Sequence, residues 1–522
     1  MLRIRLVVLL LVSITIADAQ DKHPTKSIEP YYDISLTDPE RDSLQGNLEG
    51  FQKAYKDLHG YKMENSVGMS LRFDPRPEGF QRQMKTVDGF PIPKNVEMPS
   101  NKAELAFYPV YKLAVLIKNK KITSTELTSL YISRIKKYSD TLQCVISLLE
   151  ERAMAQARRA DEEIMKGKYR GPLHGIPYGV KDLLAVEGTK TTWGAAPFKD
   201  QTIEKTADVV KKLEAAGAVL VCKFTMGALA MGDIWYGGVT KNPWNMKQGS
   251  SGSSAGSASG TAAGLVAFSI GTETLGSIVS PSTRCGATGL RPTYGLVNGE
   301  GAMTLSWTMD KIGPICRSAL DCGIVLNAIA PVSISPKKLK VAYLKAQYSK
   351  NDSAALKVIA SMGYDPVPVE LPAGIPISGI RIMLTAEAGA AFDALTRENI
   401  DDQLTDQTKG AWPNTFRAAR FIPAVEYVNA SRARKQLIEE YHKKLGEYDV
   451  IISPSFANGQ LLTTNLTGHP CLVVPNGFND QGSPTSISFL GKLYGEAALV
   501  AFARAYQEAS DWDEKIPPLF KP

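Results

Sequence analysis

A helical pattern, a glycine and a short apolar strand follow one another without a break between residues 207 and 222. Gly217 ends the helical spacing, and five apolar residues follow it directly. Two earlier helices are predicted, one beginning with a capping box at Thr123 and one over residues 149–166. Alternating helices and strands in a chain of 522 residues indicate an α/β fold with a large buried core.

The composition is that of an ordinary globular protein, with 44% hydrophobic and 22% charged residues. The net charge of +7 is scattered and forms only short pairs such as Lys120–Lys121. Proteins that bind nucleic acid instead concentrate basic residues on one face. No nucleic-acid partner is therefore expected.

The first nineteen residues have the three parts of a signal peptide. Arg3 and Arg5 form a basic start, Leu6–Val12 is an apolar run, and Ala17–Ala19 is a small-x-small cleavage site before Gln20. The run is short for a membrane span, so an uncleaved anchor is the weaker alternative. We expect a periplasmic or secreted protein with no stable membrane insertion after cleavage.

The domain boundaries follow from composition. Residues 1–19 are the signal peptide, residues 20–100 form a proline-rich, loop-rich arm, and residues 101–522 form one large domain. Because the arm still carries apolar residues such as Phe51, Phe73 and Phe80, we expect it to pack on the main domain.

Export would permit disulfides between the six cysteines. A chain of this length does not need them, so we expect mostly buried free thiols, with Cys316–Cys322 as the one local candidate pair. No His/Cys cluster has the spacing of metal ligands. Neither a metal nor a cofactor is expected.

The segment Gly249–Gly264 is rich in Ser, Gly and Ala and leads directly into a helix and a strand. Such runs are often flexible linkers, but this one lies inside the domain, where small residues let backbone amides approach a substrate. Gly252–Gly256 also spells GxSxG, which would make Ser254 the nucleophile of an α/β-hydrolase. The residues before it are typical of a turn rather than an apolar strand, which disfavours that interpretation.

A second segment with candidate catalytic residues contains Lys181 and Asp182 at the end of a short apolar stretch. Alone, this could be a surface Lys-Asp pair at the end of a strand. Five segments that follow one another along the chain match the motifs of a known family: Gly175–Asp182, Gly249–Gly264, Gly271–Ser277, Gly289–Gly295 and Asn465–Pro470.

Together these segments closely resemble the amidase signature family, from about Phe107 to the C-terminus. The resemblance implies an α/β/α domain with a central mixed twisted sheet covered by helices. It also implies hydrolysis of a small-molecule carboxylic amide through a Ser-cisSer-Lys triad and an acyl-enzyme intermediate, without a cofactor. Lys181 would be the base, Ser253 the bridging serine and Ser277 the nucleophile. The oxyanion hole would be formed by the backbone N–H groups of Thr274, Leu275, Gly276 and Ser277.

The register of the bridging serine leaves two choices, because the sequence around Ser250 resembles that around Ser253. The helix end at Ala262–Val266 favours Ser253, which lies twenty-four residues before Ser277. Three positions depart from the family pattern: Glu273 replaces an aspartate, Leu275 a glycine and Val279 an arginine. These departures fit a divergent member and leave the substrate open.

Two other functions are compatible with the sequence. One is a protein like the glutamine-hydrolysing subunit of a tRNA-dependent amidotransferase, and the other is a non-catalytic binding protein on the same scaffold. A homodimer is also compatible with the sequence. Substrate groups are expected from segments 190–240, 300–315 and 380–430. Candidates there for an apolar or aromatic acyl pocket are Trp193, Trp235, Tyr236, Met303, Trp307 and Trp412.

The leader generates the first prediction. The mature chain should begin near Gln20 and be found outside the cytoplasm, because the tripartite leader is read by the export machinery. Intact-mass analysis of the protein isolated from cell fractions checks this. A cytoplasmic protein that retains Met1 would contradict it.

Overall fold

The computed structural model describes residues 23–60, 64–65, 67, 71–82, 85–335 and 338–522. The chain divides into two compact units, residues 1–64 and 65–522. The predicted leader and its cleavage site lie outside the described residues. Within the described ranges, no helix is both long and apolar enough to span a bilayer.

The first unit differs from the loop-rich arm expected there, because it contains a helix of 23 residues, α1 (Asp38–Gly60). Pro39 lies in the first turn of this helix, where a missing N–H costs no hydrogen bond. Arg41 of α1 contacts Glu29 at 2.7 Å and Asp38 at 2.6 Å. The prolines of this unit therefore lie before the helix or in its first turn. The packing of the predicted arm on the main domain stays a prediction.

The second unit contains the remaining α-helices and all the described strands. Its α-helices are α2 (Val110–Lys118), α3 (Ser124–Leu142), α4 (Glu150–Met165), α5 (Asp208–Ala215), α6 (Ala255–Ala262), α7 (Val279–Cys285), α8 (Ala319–Ile329), α9 (Lys350–Ser361), α10 (Ile377–Ile380), α11 (Ile382–Ala391), α12 (Asp393–Arg397), α13 (Trp412–Ala419), α14 (Ala424–Leu445), α15 (Gln460–Leu466) and α16 (Glu496–Glu508). Its strands are β1 (Val145–Leu148), β2 (Pro177–Lys181), β3 (Val219–Phe224), β4 (Ile234–Trp235), β5 (Gly238–Val239), β6 (Lys241–Asn242), β7 (Asn245–Gly249), β8 (Phe268–Glu273), β9 (Thr288–Arg291), β10 (Lys311–Cys316), β11 (Val341–Leu344), β12 (Val367–Val369), β13 (Val450–Pro454), β14 (Cys471–Phe478) and β15 (Pro484–Gly491). Short 3-10 helices cover Pro24–Ser27 and Glu29–Tyr32 in the first unit and Lys102–Phe107, Ala196–Phe198, Ala228–Ala230, Ile400–Gln403, Trp512–Glu514 and Pro518–Phe520 in the second.

Eleven strands form one mixed sheet in the order β1-β3-β2-β8-β10-β9-β14-β15-β13-β11-β12. The strand pairs β3/β2, β2/β8, β13/β11 and β11/β12 are parallel, and the others are antiparallel. Helices cover the sheet, so the expected α/β fold with a central mixed sheet is confirmed.

The helices predicted from local patterns are confirmed. Thr123 caps α3 in a full capping box with Glu126, and α4 covers most of the range predicted for it. The pattern that ended at Gly217 forms α5, and the apolar run after it forms β3. Capping and hydrophobic spacing are local signals, which is why the sequence alone revealed them.

Helix α6 explains the low-complexity segment. A Cβ at Gly256 would lie 2.3 Å from the carbonyl oxygen of Cys144, and one at Gly260 would lie 2.4 Å from the Phe224 ring. The helix is buried along its whole length, and its hydroxyls bond locally, as Ser257 does to the carbonyl of Ile270. The small residues are therefore needed for direct packing on the sheet, and the segment is not a linker.

All six cysteines are buried and free, including Cys316 and Cys322. The local pair considered from the sequence is therefore not bonded. Cys316 ends strand β10, and its thiol interacts with that of Cys322 in α8, which also lies 3.7 Å from the carbonyl oxygen of Thr288. Burial in strand and helix gives these thiols packing partners instead.

Asp182 and Lys223 form a buried ion pair of 2.8 Å beside β2 and β3. Lys223 also donates to the carbonyl oxygen of Lys190, and Asp182 accepts from the N–H of Thr192. Burial raises the pKa of Asp182 and lowers that of Lys223, and the pairing opposes both shifts. The pair ties the loop around residues 190–192 to the sheet.

The pair predicts strong non-additivity. Asp182→Asn or Lys223→Met alone should lower the free energy of unfolding by about 3–5 kcal/mol, because each leaves a buried charge without its partner. The double variant should lose much less than the sum. Urea unfolding measures all three. Lys345→Met, which breaks an exposed pair with Glu370, is the control and should change stability by less than about 1 kcal/mol. Additive losses at 182 and 223 would contradict the prediction.

Candidate active site

The carboxyl ends of the parallel neighbours β2 and β8 bring Lys181 to the centre of the candidate site. Val180 pairs with Ile270 in the register of these strands, so Lys181 and Thr272 reach the same edge of the sheet. The ammonium nitrogen of Lys181 donates to Ser253 Oγ at 2.8 Å and to Thr272 Oγ1 at 2.9 Å. A lysine is thus held by two hydroxyls at the edge where α/β proteins commonly bind ligands.

Lys181 is fully buried and has no ion-pair partner among the described residues. Burial lowers its pKa to about 7, and the more distant carboxylates of Asp310 and Glu273 oppose this shift. The side chain therefore exchanges its proton near neutral pH. The surface Lys-Asp pair considered for Lys181 and Asp182 is wrong, since both side chains are buried.

The structure brings Ser253, and not Ser250, to Lys181. The peptide bond between Gly252 and Ser253 is cis. Ser250 is buried and donates its hydroxyl to the carbonyl oxygen of Ser251 at 2.8 Å. Of the two registers, only that of Ser253 provides the lysine contact.

Ser277 lies next to this pair through the backbone. The N–H of Ser254 donates to the carbonyl oxygen of Ser277 at 3.2 Å, so the residue after Ser253 contacts Ser277 directly. The loop from Thr274 to Ser277 follows β8. Among the described residues, no backbone carbonyl or side chain accepts a hydrogen bond from the N–H groups of these four residues. These donors are thus free to bind another group.

Glu273 fixes this loop at both ends. Its Oε2 accepts from the N–H groups of Ile278 and Val279 at 2.9 Å each, and its Oε1 accepts from Arg291 at 2.7 Å and from Asn465 at 2.8 Å. Burial alone would raise the pKa of Glu273, but Arg291 and the other donors bring it to about 2. The ionised carboxylate therefore holds the loop closed.

The departures from the family pattern are accommodated locally. Gly276 has φ +87°, a conformation that favours glycine, whereas Leu275 lies outside the left-handed region. Val279 is buried in a small apolar cluster with Cys471 and Val473. The three changes thus leave the lysine–serine contact intact.

The GxSxG alternative fails on geometry. The hydroxyl of Ser254 donates to the carbonyl oxygen of Thr272 at 3.0 Å and accepts from its N–H at 3.1 Å, so it is fully engaged with β8. The strand before it, β7, pairs with β6 in a separate two-stranded sheet. His174 and His469 are buried against Glu163 and Thr467 rather than a serine. Ser254 is a structural residue.

A cavity of about 420 Å³ borders this site through Thr272 and Thr274, whereas Lys181, Ser253 and Ser277 are not among the described residues that line it. Asp310 lies in its wall and accepts from Thr274 Oγ1 at 2.6 Å and from the N–H groups of Leu305 and Ser306. A second space of about 730 Å³, lined by residues 71–76, shares Tyr294 and other wall residues with it. The site therefore opens into a groove rather than a closed chamber.

Of the six candidate pocket residues, Met303 and Trp307 line the cavity. Trp412 is a core residue, stacked on Phe416 with its indole N–H donating to Leu229. Trp193 packs against Phe198, and Trp235 packs against Tyr236. Single aromatic residues in a sequence do not reveal which of them face a cavity.

Sequence reasoning missed several residues around the site. Thr272 contacts Lys181, Asp310 contacts Thr274 of the loop after β8, and Arg291 and Asn465 contact Glu273 at the end of β8. Thr272 lies two residues before Thr274, so its place at a strand end was the one local signal. Arg291 and Asn465 lie in segments that carry the family resemblance, but their contacts with Glu273 join distant parts of the chain, as does the contact of Asp310 with Thr274.

A buried lysine bonded to a serine beside a loop of free N–H groups provides a base, a hydroxyl and donors for an anion, the groups that acyl transfer requires. Residues 126–500 match the family model described as Amidase. The chain belongs to the amidase family and is an amide-hydrolysing enzyme.

The relatives agree with this assignment. The chain is 32% identical over 479 residues to a glutamyl-tRNA(Gln) amidotransferase subunit from Marinomonas sp. (strain MWYL1), covering 78% of this chain and 98% of that one. The solved peptide amidase from Stenotrophomonas maltophilia superposes with a TM-score of 0.72 and 26% identity over 80% of this chain and 100% of that one. An amidase family protein from Bacillus anthracis str. Ames gives 0.69 and 25% over 80% and 93%.

The burial of Lys181 predicts a pH-dependent stability. Its pKa is about 7 when folded and about 10.4 when unfolded, so the unfolded state binds more protons between these values. The burial penalty is full below pH 7 and disappears as the pH rises towards 10. Relative to Lys181→Met, the wild type should therefore gain about 4 kcal/mol of stability between pH 6 and pH 10.

Urea unfolding of both proteins across this pH range measures the difference. Lys211→Met, at an exposed position, is the matched control and should show a difference that does not change with pH. A constant difference for Lys181→Met would contradict the lowered pKa.

Proposed function

We propose that the protein is a serine amidase in which Lys181, Ser253 and Ser277 act as one proton relay. The observation that carries the proposal is the 2.8 Å hydrogen bond from a fully buried Lys181 to Ser253. A serine hydroxyl needs a base to become a nucleophile, and a lysine is a base only when it is neutral. A pKa of about 7 supports that role at neutral pH.

The relay moves two protons as one new bond forms. Neutral Lys181 Nζ takes the hydroxyl proton of Ser253, and Ser253 Oγ takes that of Ser277. Ser277 Oγ then bonds to the acyl carbon, and the electron pair of the C=O bond moves to the oxygen. The free N–H groups of Thr274 to Ser277 are well placed to hold this oxyanion, and one such donor contributes about 3–4 kcal/mol to the transition state.

The same relay returns the proton to the leaving group. As the oxyanion collapses, the C–N bond breaks, and the nitrogen receives a proton from Lys181 through Ser253. Ammonia or an amine departs and leaves the acyl group on Ser277. Water then attacks the ester, with the relay again accepting a proton, and the carboxylic acid is released.

The relative named for an amidotransferase supports a second candidate, a glutamine-hydrolysing protein that works with other chains. The two candidates differ in cell compartment, because a tRNA-dependent amidotransferase acts in the cytoplasm. The predicted leader favours an exported, free-standing amidase. Fractionation of cells, as described for the leader, and co-purification of other chains distinguish the two.

The relay predicts unequal and non-additive losses. Ser277→Ala should abolish acyl-enzyme formation and labelling by a fluorophosphonate. Lys181→Ala should lower kcat/KM about a thousandfold at neutral pH, and Ser253→Ala should lose less, because both ends of the relay remain. Combining Lys181→Ala with Ser253→Ala should cost far less than the product of the single losses. Wild-type kcat/KM should rise with pH to a plateau above about 7, where Lys181 is neutral.

Steady-state kinetics on aryl, fatty and peptide amides and on carbamates, with peptide mapping of the label, measure these effects. Ser250→Ala is the matched control and should be mild, since its hydroxyl bonds locally. A severe loss in Ser250→Ala with a near wild-type Ser253→Ala would overturn the register. Full activity in all variants would refute the relay, and an unlabelled, inactive wild type would indicate a binding protein.

A further inference from the structure

Among the described residues of the second unit, three lysines are buried, and Lys311 differs from the other two. Lys181 donates to two hydroxyls, and Lys223 is paired with Asp182. The only side-chain hydrogen bond of Lys311 within the described ranges is a long one, 3.4 Å from Nζ to the carbonyl oxygen of Thr274. Lys311 also forms no ion pair with any described residue. A buried ammonium with one weak partner is costly unless something else binds it.

The surroundings of Lys311 do not compensate its charge. Glu273 attracts it, but the two oxygens of that carboxylate are occupied by Arg291, Asn465 and two backbone N–H groups. Asp310 is equally saturated by Thr274 and two N–H groups. Burial and the positive Arg291 keep the pKa of Lys311 well below its ordinary value.

Lys311 lies in the wall of the cavity that borders the catalytic site, although its side chain is only 3% exposed. The other charged residues of that wall are the saturated Asp310 and the solvent-exposed Lys205 and Glu300. Among the described charged residues of this wall, Lys311 is thus the buried one whose charged group has only one long hydrogen bond.

We propose that Lys311 is a specificity-determining residue that pairs with a carboxylate carried by the amide substrate. This rests on the proposed amidase function and names its substrate class, an amide with an anionic group within reach of the reacting carbonyl. A bound carboxylate supplies the partner that the folded protein lacks, and the surrounding low dielectric strengthens the pair. The bound carboxylate stabilises the protonated form of Lys311, whereas an aliphatic or aryl amide without a charge gains nothing from it, so the cavity favours the anionic amide.

The test separates binding from turnover. In the Ser277→Ala background, calorimetry measures the affinity of mono-amides of succinic, glutaric and adipic acid, and of N-acetylated glycine and β-alanine. Each ligand is compared with a neutral isostere in which a branched alkyl group replaces the carboxylate. The mono-amides carry the carboxylate on the acyl side of the amide, and the N-acetylated amino acids carry it on the amine side. Comparing the two series therefore shows on which side of the scissile bond the carboxylate is bound.

We expect at least one set to bind about tenfold more tightly than its isosteres, a difference of about 1.4 kcal/mol. Adding Lys311→Met should abolish this preference, because Met keeps the length and removes the charge. Lys311→Gln provides a second variant, and both should fold, since replacing an unpaired buried charge is neutral or stabilising. Lys205→Met removes an exposed cation from the same wall and should leave the preference within about threefold.

Equal affinity for charged and neutral ligands in the Ser277→Ala protein overturns the proposal. It is also overturned if the preference survives Lys311→Met and Lys311→Gln, or if these variants weaken charged and neutral ligands alike, because Lys311 then only supports the loop. Hydrolysis by the active enzyme is scored separately. A carboxylate preference that depends on Lys311, without hydrolysis of any amide, would refute the amidase function and leave the anion site standing.

Discussion

The complete burial of Lys181 is the constraint on which the site depends. An ammonium removed from water favours its neutral form, and two hydroxyls stabilise the charge far less than a carboxylate would. The central position of β2, between β3 and β8, closes the strand end to solvent. Helix α6 completes the cover, and its small residues allow it to lie directly on the sheet. Packing and proton affinity are therefore set by the same contacts.

The loop after β8 and the start of α7 differ in whether their backbone N–H groups have an acceptor. The carboxylate of Glu273 engages the N–H groups of Ile278 and Val279, where α7 begins, while the preceding four N–H groups are left without an acceptor among the described residues. Arg291 and Asn465 hold the other carboxylate oxygen. A loop fixed in this way has its dipoles oriented before any ligand binds, which is the condition for efficient stabilisation of a developing anion.

Two departures from the family pattern, Leu275 and Val279, lie in the loop after β8 and at the start of α7 rather than at Lys181 or Ser253. Leu275 replaces a glycine in the loop, and Val279 replaces an arginine with an apolar residue in a buried cluster. The chain thus lacks a cation just after Ser277, but it has Lys311, beside Thr274, which is unpaired within the described ranges. The hydrogen bond between Lys181 and Ser253 is retained beside these differences.

The sequence by itself determined the α/β class, the capped helix α3, the helix-to-strand step at Gly217 and the identity of Lys181, Ser253 and Ser277 as candidates. The class, the helix and the helix-to-strand step follow from local spacing, and the three candidates follow from the resemblance of ordered segments to the amidase signature family. The structure then placed Lys181 2.8 Å from Ser253, although their catalytic roles stay predictions. Only the tertiary structure decided the order of eleven strands, the free state of Cys316 and Cys322, and which of six candidate side chains face the cavity. It alone revealed the surroundings of Thr272, Asp310 and Lys311. Those properties depend on contacts between segments far apart in the chain and on burial, which no local pattern encodes.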